Sequence, residues 1–224
     1  MPCVVRDATA ATAMFEVDAA AVAGSGMVPG EFTVVETTPG RCQLVLAVID
    51  YRDNDLGDYR EVGVSVFVRP AGDQAAEPGT FIVHLPVDQE FTCEAGQLIW
   101  GFPKTVERID LAVADGSLTA ALVMDGTLAF RLTVPAGGSD EMPELPMVTY
   151  SMIDGVPHAT GFVQGGAGSA VRPGPDGVTL ELGEHPVGRE LAALGLPAPA
   201  ILSTWTEHMR GEFQSPAPIG AALP

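Results

Sequence analysis

Apolar residues fall in short runs broken by glycine, proline and aspartate. The runs at 32–36, 42–50, 62–68, 80–85, 109–113, 118–124, 128–134, 148–153, 162–164, 178–182 and 201–209 have the length and composition of β-strands. Residues 62–68 (Val-Gly-Val-Ser-Val-Phe-Val) alternate with period two over part of their length. Turn signals separate the runs at Pro39-Gly40, Asn54-Asp55, Asp115-Gly116, Asp125-Gly126, Asp154-Gly155 and Asp176-Gly177. The Asp125-Gly126 pair predicts a hairpin over 118–134.

Helical signals are few. Asp18 is a candidate N-cap for an Ala-rich turn at 19–23, stopped by Gly24. Residues 186–194 read as a helix with Pro186 at its start and Gly195 just past its end. Residues 90–97 have room for one or two helical turns. The glycine-rich stretch 161–168 reads as a mobile loop. Without a repeat or a long linker, residues 1–224 form one domain. Closely spaced strands predict a sandwich or barrel carrying a few outer helices.

Composition narrows the function. With 46% apolar residues and mean hydropathy +0.24, the chain folds around a core. No apolar run reaches the roughly 18 residues that a helical membrane span requires, and no signal peptide is evident at the start. A net charge of -18 argues against nucleic acid and anionic membrane as partners. Cys3, Cys42 and Cys93 match neither a zinc site nor a disulfide framework, so free thiols in the cytoplasm are expected.

Of 11 basic residues, only Lys104 is a lysine. Compositional bias towards arginine can account for that scarcity, so the neighbours carry the case. Leu98, Ile99, Trp100, Phe102 and Pro103 give the lysine a bulky apolar approach. Pro103 fixes its own φ and extends Phe102, while Gly101 permits an unusual φ or close approach. Burial penalises the charged form of an amine, and a neutral amine is a nucleophile towards ketones. The competing reading is a surface lysine lying along Trp100 or paired with Glu107, which is the commoner fate of a lysine.

The segment Trp100-Gly-Phe-Pro-Lys104 resembles the Trp-Gly-Tyr-Pro-Lys motif around the Schiff-base lysine of acetoacetate decarboxylases. Further matches keep that family's order. Tyr59-Arg-Glu61 resembles its Tyr-x-Glu segment, and Val87-Asp-Gln-Glu90 its Val-Asp-Asn-Glu stretch. Asp154-Gly-Val-Pro157 resembles its Asp-Gly-x-Pro, and His185-Pro186 its C-terminal His-Pro segment. The resemblance implies a mainly β (α+β) fold: a cone-shaped β-barrel with flanking short helices, usually homo-oligomeric, with the lysine inside. It also implies imine chemistry at Lys104 without metal or organic cofactor. Decarboxylation of a β-keto acid such as acetoacetate is the default reaction. The same imine supports aldolase, dehydratase and cyclase variants.

Glu61 is the implied partner for proton transfer. Trp100 and Phe102 are expected to form pocket walls. Arg6 and Gln43 are the candidates for substrate contacts, Arg6 as the only arginine before Arg41 and Gln43 as the nearest polar residue on a strand without the family's glutamate. The chain departs from the family at Thr105, where the decarboxylases carry a second lysine, and at Gly96-Gln97-Leu98, where they often carry Gly-Arg-Glu. The substrate need not therefore be acetoacetate. Scattered histidines (His84, His158, His185, His208) lack metal-ligand spacing. A non-catalytic barrel holding a small apolar ligand, with Lys104 as a pocket charge, is the alternative function.

Overall fold

A computed structural model describes residues 2–219. Its elements in chain order are β1 (Cys3–Asp18), α1 (Ala19–Gly24), β2 (Phe32–Val34), β3 (Glu36–Thr38), β4 (Arg41–Asn54), β5 (Tyr59–Pro70) and β6 (Gly79–Val87). There follow α2 (Glu90–Ala95), a π-helical turn (Gly96–Trp100), β7 (Lys104–Val106), β8 (Arg108–Ala114), β9 (Ser117–Met124), β10 (Thr127–Pro135) and β11 (Asp140–Ile153). The chain continues through β12 (Val156–Pro173), β13 (Thr179–Leu182), α3 (Pro186–Ala193), β14 (Ala200–Phe213) and β15 (Ala217–Pro218).

The strands settle the choice between sandwich and barrel. The order β5-β4-β1-β14-β12-β11-β6 returns to β5 through β5–β6 pairing, so seven strands form a closed ring. A ring with an odd number of strands cannot be antiparallel throughout. The exception is the short β11–β6 junction, which pairs in parallel at Thr149↔Thr80 and Tyr150↔Phe81. Closure removes the sheet edges that would otherwise be left unpaired.

A second sheet, β13-β10-β9-β8, lies outside the ring. Its Leu118, Ala120, Leu122, Leu132 and Val134 share one core with Leu44, Leu46 and Val48 of β4 and Val62, Val64 and Val66 of β5. Each of these leucine and valine side chains is fully buried, and burying one stabilises the fold by about 1.5–3 kcal/mol. The inward-facing residues on the same strands, such as Ala47, Ile49 and Tyr51, line a cavity within the ring. The 42–50 run is nearly continuous in apolar character because both faces of β4 are covered.

Local signals placed most elements. Asp18 caps α1 by accepting from the Ala21 amide. His185 caps α3, with Pro186 at its start and Gly195 left-handed just beyond. Asp125 and Gly126 both have positive φ, as the predicted hairpin requires. Two regions differ from expectation. Residues Cys3–Asp18 form the long strand β1, whose middle (Ala-Thr-Ala-Ala-Thr-Ala over 8–13) is rich in alanine, a residue of little intrinsic strand preference. Pairing with both β4 and β14 overrides that weakness.

Residues 161–168 are no loop. They run through the middle of β12, hydrogen-bonded to β14 and β11. The glycines serve close strand contacts: a Cβ on Gly166 would lie 2.5 Å from the His208 carbonyl oxygen, whereas one on Gly161 would meet nothing within 4 Å. Gly166→Ala is accordingly expected to cost about 1–3 kcal/mol, and Gly161→Ala no more than about 0.5 kcal/mol. Urea unfolding midpoints of the two variants check this contrast.

Candidate active site

The cavity in the ring has a volume of about 170 Å³. Strand periodicity supplies its walls from alternate positions: Ala47, Ile49 and Tyr51 on β4; Tyr59, Glu61, Gly63 and Ser65 on β5; Thr80 and Ile82 on β6; Phe162 and Gln164 on β12. Cys3 and Val5 of β1, Asn54 of β4, Leu85 of β6, Thr149 of β11 and Phe213 of β14 add to the ring's contribution. Trp100, Phe102 and Lys104 enter from the segment after α2.

That segment is held firmly. Gln89 caps α2 by accepting from the Thr92 amide, and the helix passes directly into the π turn. Single π turns are frequent at functional sites. Gly101 ends the turn with φ 66°, and a Cβ there would sit 2.5 Å from the Met152 carbonyl oxygen. Trp100 donates from Nε1 to the Gln214 carbonyl at 2.9 Å and stacks on Phe102. Gln97 donates to the Lys104 carbonyl at 2.6 Å. Lys104 then begins β7, parallel to β6 opposite Leu85. Thr105, the next residue, is exposed.

Lys104 is 4% exposed, and its Nζ lies 2.7 Å from Glu61 Oε2. It also donates to Thr92 Oγ1 at 3.1 Å and sits 4.9 Å from the centre of the Tyr59 ring. On the other side of Glu61, the Tyr51 hydroxyl donates to Oε1 at 3.2 Å. The Tyr51 and Tyr59 rings stack at 4.4 Å, because the two residues face each other across the β4–β5 hairpin. Burial, followed by the Glu61 charge, holds both phenols well above their ordinary range. They therefore serve as neutral hydroxyls. Burial also raises the Cys3 thiol, with Asp55 adding to the shift. Cys3 is thus no thiolate nucleophile in competition with the amine.

The stem of the lysine runs along Gly96. A Cβ added at Gly96 would stand 2.5 Å from Lys104 Cδ, so this glycine makes the channel through which the amine reaches Glu61.

Of the residues singled out in the sequence, Lys104, Glu61, Trp100 and Phe102 come together in the cavity. Arg6 does not join them. It points outward, donating to Asp53 and Asp55 at 2.8 Å each, because the β1–β4 pairing shifts register between Val5 and Ala8 and gives the cavity Val5 instead. Gln43 also falls outside: it pairs opposite Glu16 near the start of β4, four residues before Ala47, where the cavity wall begins. Thr92, Tyr51 and Tyr59 were not foreseen as site residues. The signal for Tyr59 was its i,i+2 spacing to Glu61 on one strand face. Tyr51 and Thr92 required the hairpin register and the packing of α2. The histidines lie elsewhere, with His84 on Glu190, His208 on Asp7 and His185 at the α3 cap.

Two outcomes follow from this geometry. Gly96→Ala should displace the lysine stem and lower its reactivity with carbonyl compounds by about 10²-fold, whereas Leu98→Ala, at an 82% exposed position, should leave it unchanged; reductive trapping rates measure both. The three tyrosines, Tyr51, Tyr59 and Tyr150, all have phenols raised above 10. Their contribution to stability is full below pH 10 and falls as pH climbs through the raised folded values. Phenolate absorbance should therefore appear together with unfolding, and a titration near pH 10 with intact secondary structure would contradict the burial.

Comparison with known proteins agrees with this architecture. The chain resembles the crystal structure of acetoacetate decarboxylase from Legionella pneumophila at 20% identity and TM-score 0.69, over 99% of this chain and 89% of that one. A second acetoacetate decarboxylase structure aligns at 17% identity and TM-score 0.64, over 96% and 87% of the two chains. The enduracididine biosynthesis enzyme MppR, complexed with pyruvate, aligns at 16% identity and TM-score 0.63, over 95% and 88%. No curated protein matches the chain. The acetoacetate decarboxylase (ADC) family profile matches residues 1–212, nearly the whole sequence, and the chain belongs to that family.

Proposed function

We propose that this protein is an imine-forming carbon–carbon lyase that uses Lys104 as its nucleophile on a small carbonyl substrate. The observation that carries the reading is the buried Lys104–Glu61 pair at 2.7 Å inside an apolar cavity. Unpaired burial would cost either ion several kcal/mol. A family motif lysine held in this way at the wall of a cavity fits chemistry better than scaffolding.

Lys104 passes a proton to Glu61, and its amine attacks the carbonyl carbon. The carbonyl oxygen takes a proton and leaves as water, with Glu61 returning the proton that this dehydration needs. The product is a protonated imine, which draws electrons from the adjacent carbon. A β-keto acid at that imine loses carbon dioxide; a carbonyl compound with an α-hydrogen loses a proton to Glu61. Either route gives an enamine, and protonation or carbon–carbon bond formation followed by hydrolysis frees the lysine. Thr92 and Tyr51 hold the two ions in register, one on the amine and one on the carboxylate. Support comes from MppR, which shares the fold and has been captured with pyruvate and with the condensation product of pyruvate and imidazole 4-carboxaldehyde.

Borohydride reduction in the presence of a carbonyl compound tests the proposal. A stable adduct should map to Lys104 by mass spectrometry. Glu61→Gln should slow its formation by about 10²–10⁴-fold while preserving the fold by circular dichroism. Absence of an adduct across a panel of aldehydes, ketones and keto acids, with ligand binding unchanged in Lys104→Met, would instead favour a non-catalytic binding barrel.

A further inference from the structure

We infer that the substrate is an uncharged aldehyde or ketone, not a keto acid, so that the enamine arises by loss of an α-proton to Glu61 instead of loss of carbon dioxide. This inference rests on the imine reading above and concerns charge. Among the described residues, the charged side chains lining the cavity are Lys104 and Glu61, which neutralise each other. Thr80, Thr149, Ser65, Asn54 and Gln164 supply polar but uncharged groups, and aromatic and aliphatic side chains supply most of the rest.

Consider a neutral ketone first. Once Lys104 has become a protonated imine, its positive charge faces the Glu61 carboxylate and the cavity stays balanced. A keto acid adds a second carboxylate to the same space. One of the two anions then lacks a cation, in surroundings where an unpaired charge is strongly disfavoured. Arg6, next to Val5 of the cavity wall, is turned to the surface and occupied by Asp53 and Asp55, and Arg60, between Tyr59 and Glu61, is occupied by Asp50 and the Ile109 carbonyl. Thr105 is uncharged and exposed. The approach works in the same direction, because a chain of net charge -18 repels anions from its surface.

Size limits the substrate further. A cavity of about 170 Å³ compares with the roughly 150 Å³ apolar cavity that accommodates benzene, so the compound attached to Lys104 carries on the order of six to eight non-hydrogen atoms. The bond changes balance without any redox partner. The carbonyl oxygen departs as water when the imine forms. The α-carbon's proton goes to Glu61, and the C–H electron pair becomes the enamine double bond. That carbon then bonds to the carbonyl carbon of a second uncharged aldehyde, whose oxygen takes the proton back from Glu61. Water releases the β-hydroxy carbonyl product and regenerates the lysine. The reverse sequence cleaves such a product.

A matched pair of compounds tests the inference on the wild-type protein. Isobutyl methyl ketone and acetoacetate share one skeleton and differ in a terminal pair of methyl groups against a carboxylate. Borohydride trapping is followed by intact mass against ligand concentration, and carbon dioxide release is measured in parallel. The expected result is a Lys104 adduct with the ketone at a half-saturating concentration at least about tenfold below that for acetoacetate, protein-dependent deuterium exchange at the ketone's α-carbons, and no carbon dioxide above background. Equal or better trapping of acetoacetate, or catalysed carbon dioxide release, would overturn the inference while leaving the imine reading intact. An absence of adduct with both compounds and with a wider carbonyl panel would overturn the imine reading, and this inference with it.

Discussion

The structure depends on one buried ion pair. Lys104 and Glu61 are charged side chains facing a mostly apolar cavity, and each offsets the cost of burying the other. Removing one partner of such a pair strands the other and typically costs about 3–5 kcal/mol. The surrounding features can be understood as ways of holding the two in contact. Gly96 clears a channel for the stem, the π turn and left-handed Gly101 aim β7, and Gln97 ties down the Lys104 backbone. Tyr51 and Thr92 take one hydrogen-bonding direction from each ion. The pair is well buried yet accessible from the cavity, the arrangement an imine-forming lysine needs.

The barrel makes this possible by separating two kinds of interior. Valines and leucines of β4 and β5 that point away from the cavity are sealed against the outer sheet. That core supplies the stabilisation which a hollow ring would otherwise lack. The inward positions are thereby released from packing duty and can hold Glu61, Gly63 and Ser65 around a void. Two adjacent residues, Glu61 and Val62, thus belong to different environments because strand geometry sends them to opposite faces.

Local sequence disclosed the parts of the molecule governed by local physics. Hairpin turns with Asp-Gly, the Asp18 and His185 caps and the alternating strands follow from propensity and pattern. The lysine loop was legible because Pro103 restricts its own φ and that of Phe102, while Gly101 permits the left-handed turn before them. Elsewhere, sequence alone misled. The small residues of β1 and the glycines of β12 lack intrinsic strand preference, and only the neighbours to which they pair explain their conformation. Arg6 was a candidate as the only arginine before Arg41, and sequence order carries no information about the bulge between Val5 and Ala8 that sets its direction. Tyr51 and Thr92 reach Glu61 and Lys104 through register and helix placement, which no motif spells out.

The bulge has a consequence for how such a site diversifies. Because side chains alternate along a strand, sliding the first residues of β1 by one position would turn Val5 outward and Arg6 inward. A guanidinium would then replace an isopropyl group at the cavity wall, although no residue there had been substituted. In this barrel, the preference between neutral and anionic ligands can therefore be inherited through a one-residue change of chain length at an edge of the site, a route that comparison of aligned residue identities would overlook.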